Sequence, residues 1–130
     1  MIVPFVGDKI LLSRVFRLAV NKWVYNFPAG LIDEGETVER AAIRELKEET
    51  GLKVTKILNI LPASFSSVGL TDEKVVTVFV EAEGDILGSD NVNEEIEPGL
   101  YTKEELRNLI NECSDLCSRS QLVSFWIASK

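Results

Sequence analysis

The chain has 130 residues, of which 45% are hydrophobic and 27% are charged, a composition typical of a soluble globular protein with one domain. Its net charge of −7 argues against broad binding of nucleic acid or of an anionic membrane, because both require a basic surface. The chain contains no histidine, so any acid–base chemistry must use carboxylates, lysine, tyrosine or a water activated by a metal.

The first residues and the cysteines both bear on location. The opening run MIVPFVGDKILL has no basic leader, and Asp8 and Lys9 interrupt its apolar residues, so we expect no signal peptide. Cys113 and Cys117 lie four residues apart without a cluster of other metal ligands, which favours two reduced thiols over a zinc site. No apolar run approaches the roughly 20 residues of a membrane span. We therefore expect a cytoplasmic protein.

The residue pattern predicts strands and helices along one domain that covers residues 1–130. A β-hairpin opens the chain, with Gly7 and Asp8 at the turn between MIVPFV and KILLSRVF. Further strands are expected at 22–27, 53–62, 74–82 and 96–101, helices at 38–50, from 102 to about 112 and at 119–128, and polar loops at 64–73 and 84–95. This mixture predicts an α/β (α+β) fold with a sheet between helices.

Three glutamates crowd the end of the helix predicted at 38–50, namely Glu45, Glu48 and Glu49. Like charges three and four residues apart repel each other, and the C-terminus of a helix is the negative end of its dipole. On a helical wheel, at about 100° per residue, the three acids share the side of the small residues that should face the sheet. This arrangement disfavours folding unless a cation offsets it.

The wheel also leaves these carboxylates without a cationic partner on their own face. The basic residues of the helix fall on the other side, and they are Arg40, Arg44 and Lys47. Plain surface charge is the alternative interpretation. Hard divalent cations bind carboxylate oxygens in this number, so we expect a Mg²⁺ site that Mn²⁺ could also fill. A backbone carbonyl of the preceding loop, residues 28–30, is a further candidate ligand, since small residues allow close approach.

The segment from Gly30 to Leu52 resembles a complete Nudix box. Its matching positions are Gly30, Glu36 and the run Arg44-Glu45-Leu46-Lys47-Glu48-Glu49-Thr50-Gly51-Leu52. The resemblance implies a Nudix hydrolase, an enzyme that cleaves a nucleoside diphosphate linked to another group. It also implies the Nudix α/β/α sandwich, in which a mixed β-sheet lies between helices.

The same resemblance implies roles for individual residues of the segment. The expected metal ligands are Glu45, Glu48, Glu49 and the carbonyl of Ala29. Glu36 and Arg44 would pair and thereby hold the loop on the helix, a structural role shared with Gly30 and Gly51.

Further features are similar to the ADP-ribose and ADP-sugar pyrophosphatase branch of the family. These are the run FPAGLIDEGE, Val15-Phe16-Arg17 on an early strand, the loop Ser67-Val68-Gly69-Leu70-Thr71-Asp72-Glu73, and Asn93-Glu94-Glu95-Ile96. Val15 stands where this branch has glutamine, and Val68 stands where it has proline. The resemblance implies a nucleoside diphosphate derivative as substrate, with its sugar and base left open.

Residues outside the box complete the predicted site. Glu94 is the expected general base and Glu95 its alternative, so the catalytic group comprises Glu94, Glu95 and Glu45; a solvated loop acid is the other interpretation of both loop glutamates. Arg17 is expected to contact phosphate or ribose, or else to pair with the acidic helix.

Three aromatic residues are candidates for a site role or for the core. Phe65 or Phe16 could stack on a base, although we expect both in the hydrophobic core. We expect Trp126 in the core as well, because apolar residues surround it in the last predicted helix.

Two other functions stay open at this point. One is a Nudix nucleoside triphosphate or dinucleotide pyrophosphohydrolase, and the other is a nucleotide-binding Nudix module without catalysis. The first predicted core strand lies at the start of the chain, so we expect that any homodimer does not use the swapped N-terminal subdomain of longer relatives.

Overall fold

The structure is a computed structural model that describes residues 1–86 and 96–130, and within them the predicted order of elements is recovered. The strands are β1 (Ile2–Val6), β2 (Lys9–Arg17), β3 (Lys22–Asn26), β4 (Lys53–Ile60), β5 (Ser64–Phe65), β6 (Lys74–Val75), β7 (Val78–Glu83) and β8 (Ile96–Tyr101). The helices are α1 (Val38–Thr50), α2 (Lys103–Glu112) and α3 (Ser118–Ala128).

Six of these strands form one mixed sheet. Its order is β3-β2-β1-β7-β4, and β8 pairs with β2. The hairpin β1–β2 is antiparallel, as predicted, with Phe5 opposite Ile10. β1 and β7 are parallel, with Ile2 opposite Val78, whereas the other pairs in this sheet are antiparallel. The predicted mixed sheet is therefore confirmed.

Hydrophobic side chains of the central strands point alternately to the two faces of the sheet, and each face therefore carries its own hydrophobic core. Ile2 and Leu11 pack with Leu46 of α1 on one face. Val3, Ile10 and Leu12 pack on the other face with Leu106 of α2 and Ile127 of α3. Side chains that follow each other in a strand point to opposite faces. The result is an α/β/α sandwich, as predicted.

The helix that carries the acidic residues begins and ends where local signals predict. The Thr37 hydroxyl oxygen accepts a hydrogen bond from the backbone N–H of Arg40 at 3.2 Å. Gly51 has a left-handed backbone with φ 81°, and its N–H donates to the Lys47 carbonyl at 2.9 Å. Both caps satisfy backbone groups that a helix end leaves without partners. The predicted bounds of α1, residues 38–50, are confirmed.

Two strand predictions are wrong in their bounds. The strand expected at 74–82 is divided into β6 and β7, because β6 pairs with β5 while β7 joins the main sheet. The loop expected at 64–73 therefore begins with the short strand β5, and β4 ends at Ile60 rather than at 62. A continuous apolar run cannot indicate a change of pairing partner, which depends on distant strands.

The prediction that Trp126 lies in the core is wrong, since its side chain is 50% exposed. Its ring packs edge-on against Phe79 with 5.8 Å between the ring centroids. The buried residues of α3 include Ser120, Ser124 and Ile127, which recur at helical spacing. Small serines thus face inward, and the bulky aromatic residue is left at the surface. None of the helices in the described part of the chain is long and apolar enough to cross a membrane.

Candidate active site

Arg44 connects the loop before α1 to the helix itself. Its Nε donates to Glu36 Oε2 and its Nη2 to Glu36 Oε1, both at 2.8 Å. Nη2 also donates to the carbonyl of Leu31 at 3.0 Å. The predicted pairing of Glu36 with Arg44 is confirmed, and its two parallel hydrogen bonds are the strong bidentate form.

This contact changes the ionisation of both partners. The hydrogen bond from Arg44, followed by one from the backbone N–H of Asp33, lowers the pKa of Glu36 to about 2. Hydrogen bonds to Glu36 and then Glu45 raise the pKa of Arg44 above its ordinary value. Both side chains are therefore charged at neutral pH, and the loop stays attached to the helix by an ion pair.

The expectation that the acidic face lacks a cationic partner is wrong. Arg44 Nη1 donates to Glu45 Oε1 at 2.9 Å and to Glu48 Oε2 at 3.3 Å. A wheel places Arg44 by its Cα atom, but the long side chain bends back toward the acids. The same guanidinium therefore binds the loop and offsets part of the charge of the glutamates.

The three glutamates differ in exposure. Glu49 is buried, Glu45 is half-buried, and the side chain of Glu48 is 53% exposed. In residues 1–86 and 96–130, no group of three or more His, Cys, Asp or Glu side chains is gathered so that it could hold a metal ion. Their assignment as metal ligands therefore stays a prediction.

The chain at Gly30 lies directly against the carboxylate of Glu45. A Cβ atom added to Gly30 would collide with all three atoms of that carboxylate group. Ala29, the preceding residue, is exposed and lines the same cavity as Glu45. Glycine at position 30 thus lets the loop lie against the Glu45 carboxylate, as expected from the small residues there, and a larger residue would displace that flexible side chain. The carboxylates and the Ala29 carbonyl are hard oxygen donors, a set whose chemistry fits Mg²⁺ or Mn²⁺.

A cavity of about 570 Å³ opens beside this contact. The charged and polar residues that line it include Arg17, Asn26, Glu45, Glu73, Lys74 and Arg119. Arg17 is exposed at the end of β2 and lines the cavity, and its contact to phosphate or ribose stays a prediction. The ion pair with the acidic helix considered for Arg17 does not occur among the described residues.

Phe65 and Phe16 are not core residues. Phe65 is 53% exposed on β5, and Lys74 Nζ lies 4.9 Å from the centroid of its ring. Phe16 is half-buried and packs edge-on against Trp23 at 6.0 Å. The core prediction fails for Phe65 because β5 pairs with β6 outside the main sheet. Glu94 and Glu95, the predicted bases, lie outside the described residues.

The sequence pattern did not indicate two residues at the start of α3, namely Arg119, which lines the cavity, and Ser120, which holds this end of the helix in place. Ser120 is fully buried; its Oγ accepts from the N–H of Phe27 at 3.1 Å and donates to Asn26 Oδ1 at 2.6 Å. It thereby connects α3 to the chain just before Ala29. The two contacts join residues more than 90 positions apart, so no local sequence signal could have found them.

Comparison with known proteins places the chain in a family. A model of the NUDIX domain matches residues 1–116. An ADP-ribose pyrophosphatase of Saccharomyces cerevisiae is 45% identical over 76 residues, which cover 58% of this chain and 32% of that protein. An ADP-sugar pyrophosphatase of Mus musculus is 38% identical over 90 residues, covering 69% of this chain and 40% of the relative.

A solved structure supports the same assignment. The crystal structure of an ADP compounds hydrolase superposes with a TM-score of 0.80 at 26% sequence identity. The superposition covers 99% of this chain and 69% of that one. The chain spans 32% and 40% of the length of the two curated relatives described above. With the family model matching most of its residues and the fold shared, the chain belongs to the Nudix family.

Proposed function

We propose that the protein is a divalent-metal-dependent pyrophosphohydrolase that cleaves the diphosphate of ADP-ribose or a related nucleotide sugar. One observation carries the proposal. Arg44 holds the Gly30–Leu52 segment so that Glu45 and Ala29 line a cavity that Arg17 also lines. Acidic and basic groups in one cavity suit a substrate that is itself an anion and binds together with a cation. The names of the relatives support an ADP-linked substrate.

The proposed ligands of the divalent cation are Glu45, Glu48, Glu49 and the carbonyl oxygen of Ala29. Mg²⁺ is the proposed ion, and Mn²⁺ has the same preference for oxygen donors. When bound, such a cation would offset the charge of the diphosphate and lower the pKa of a water molecule.

The residues of the chain itself position the reacting groups. The pair of Arg44 and Glu36 keeps the loop on α1, and the absence of a side chain at Gly30 leaves room for the Glu45 carboxylate. Arg17 is proposed to donate hydrogen bonds to a phosphate or to the ribose, which its planar fork of donors suits. Misplacement of such groups by about 1 Å is enough to slow an enzyme by roughly 100-fold.

Glu94 is the proposed general base, with Glu95 as the alternative. The carboxylate takes a proton from the attacking water, whose oxygen forms a bond to one phosphorus of the diphosphate. The bond between that phosphorus and the bridging oxygen breaks, and the other phosphate leaves with the bridging oxygen. For ADP-ribose the products are AMP and ribose 5-phosphate.

A substrate panel tests the proposal. The purified protein is incubated with ADP-ribose, other nucleoside diphosphate sugars, dinucleotides and nucleoside triphosphates, with Mg²⁺ and with EDTA, and the products are identified by chromatography. We expect AMP from ADP-ribose with Mg²⁺ and none with EDTA. Preferred hydrolysis of triphosphates or dinucleotides would indicate a nucleoside triphosphate or dinucleotide pyrophosphohydrolase instead. Binding of ADP-ribose without turnover of any member of the panel would indicate a module that does not catalyse.

A further inference from the structure

Arg119 of α3 lines the cavity, and the described residues provide no hydrogen-bond partner for two of its donor atoms. Its Nε and Nη1 atoms are buried, and within residues 1–86 and 96–130 neither atom has a hydrogen-bond partner. The same part of the chain contains no ion pair to Arg119, although Glu45 and Glu73 line the same cavity. The residue belongs neither to the box nor to the signatures of the ADP-ribose branch described above.

Arg119 as a residue is partly exposed, but the burial of its Nε and Nη1 donors without acceptors is unfavourable. A guanidinium carries five N–H donors and has no acceptor of its own. Removing such donors from water without replacing their hydrogen bonds destabilises the fold. An acceptor that arrives with a ligand would remove this penalty, and a phosphate oxygen matches the planar fork of arginine donors.

The backbone around Arg119 is fixed at the edge of the cavity. On one side of it, the N–H of Tyr25 donates to the Asp115 carbonyl at 2.8 Å, and the N–H of Cys117 donates to the Tyr25 carbonyl at 3.1 Å. On the other side, the Ser120 hydroxyl donates a hydrogen bond to Asn26 Oδ1 and accepts one from the N–H of Phe27. The start of α3 is therefore attached to the end of β3 on both sides of Arg119, so the backbone of Arg119 is held at the edge of the cavity.

We propose that Arg119 is a substrate-binding residue that donates hydrogen bonds to the diphosphate of the substrate. Arg17 and Arg119 line the same cavity from different elements, β2 and α3, and a diphosphate has acceptors for two arginine side chains. Glu45 and Ala29 also line this cavity, so the phosphates bound by Arg119 would lie beside the proposed cation ligands. The inference rests on the proposed function, because it names a contact to the substrate of that site.

The test compares Arg119→Met and Arg119→Lys with the wild type. Binding of ADP-ribose is measured by titration calorimetry in EDTA and with Mg²⁺, and KM and kcat are measured with Mg²⁺. Lys56→Met is the control, since it also removes one positive charge but lies exposed on β4 and does not line the cavity. Thermal unfolding of each variant checks that the fold is retained.

We expect Arg119→Met to raise the Kd and the KM by about 10- to 100-fold, the effect of losing hydrogen bonds between charged groups. The kcat should change less than the KM, and Arg119→Lys should restore part of the affinity as a point charge. Lys56→Met should bind as the wild type does.

Values of Kd and KM for Arg119→Met within twofold of the wild type would overturn the inference, and so would a lower melting temperature as the sole change. Absence of ADP-ribose binding to the wild type, in EDTA and with Mg²⁺, would overturn it too. If the wild type binds ADP-ribose in a manner that depends on Arg119 but hydrolyses no diphosphate, the binding role stands and the proposed hydrolysis fails.

Discussion

The guanidinium of Arg44 and the carboxylate of Glu36 meet through two hydrogen bonds of 2.8 Å, between residues eight positions apart. Arg44 is at the same time bonded to Glu45 and Glu48 on its own helix. One side chain therefore determines where the loop lies and where two proposed metal ligands point. Changes at this pair should alter both stability and activity.

The ion pair predicts a pH dependence of stability. The pKa of Glu36 is lowered from 4.5 to about 2 in the folded protein, so between these values the unfolded chain binds more protons. The stabilisation from Glu36 is fully present above about pH 5 and is lost as the pH falls through 2. In urea unfolding, the difference between wild type and Glu36→Gln should be large at pH 7 and shrink below pH 4.5. Glu112→Gln, an exposed acid outside this pair, serves as control, and a difference that stays constant from pH 7 to pH 2 would contradict the prediction.

Gly30→Ala should impair activity more than stability. The new Cβ would collide with the Glu45 carboxylate and displace it from the loop. A shift of about 1 Å in a group at the active site can lower the reaction rate by on the order of 100-fold, so we expect kcat/KM to fall by about this factor. Gly69→Ala is the matched control, because nothing lies within 4 Å of its added Cβ. Equal kcat/KM values for the two variants would show that the close contact at Gly30 is not needed for catalysis.

Two buried serines of α3 allow a matched comparison of stability. Ser120 Oγ bonds to Phe27 and Asn26, whereas Ser124 Oγ has no hydrogen-bond partner in the described residues. Ser120→Ala should lower the free energy of unfolding by about 1–3 kcal/mol, because the N–H of Phe27 would lose its acceptor inside the protein. Ser124→Ala should be neutral or stabilising. Chemical denaturation of both variants measures the difference, and equal losses would refute the role assigned to Ser120.

The elements that local signals control were predictable from the sequence. Thr37 and Gly51 determine the ends of α1 through their own hydrogen bonds, and Thr102 with Glu105 does the same for α2 through a capping box. The residue pattern of the first hairpin likewise predicts its strands, because side chains in a strand point alternately to two faces, with a period of two residues. The matched Gly30–Leu52 segment predicted the pair of Glu36 and Arg44.

Features that depend on distant residues were not predictable in this way. Phe65 is exposed because β5 pairs outside the main sheet, and Trp126 is exposed because α3 buries its serines. The hydrogen bond from Arg44 to Glu45 depends on the conformation of the Arg44 side chain. A helical wheel shows only the positions of Cα atoms and therefore could not predict it. Arg119 lies at the cavity because of contacts between α3 and β3, more than 90 residues apart in the chain.

The central claim is that the acidic end of α1 supports hydrolysis that depends on a divalent cation, and Glu49→Gln tests it most directly. Hydrolysis of ADP-ribose is followed by ³¹P NMR in a Mg²⁺ titration of the wild type, Glu49→Gln and the control Glu112→Gln. Replacing a residue that hydrogen-bonds a metal ligand typically lowers metal affinity or activity by about 10- to 100-fold. Loss of a ligand itself should therefore lower kcat/KM by at least about 100-fold, while the circular dichroism spectrum stays unchanged. We predict AMP formation that saturates with Mg²⁺ in the wild type and the control and is nearly absent in Glu49→Gln. Turnover by Glu49→Gln at the level of the wild type would contradict the account.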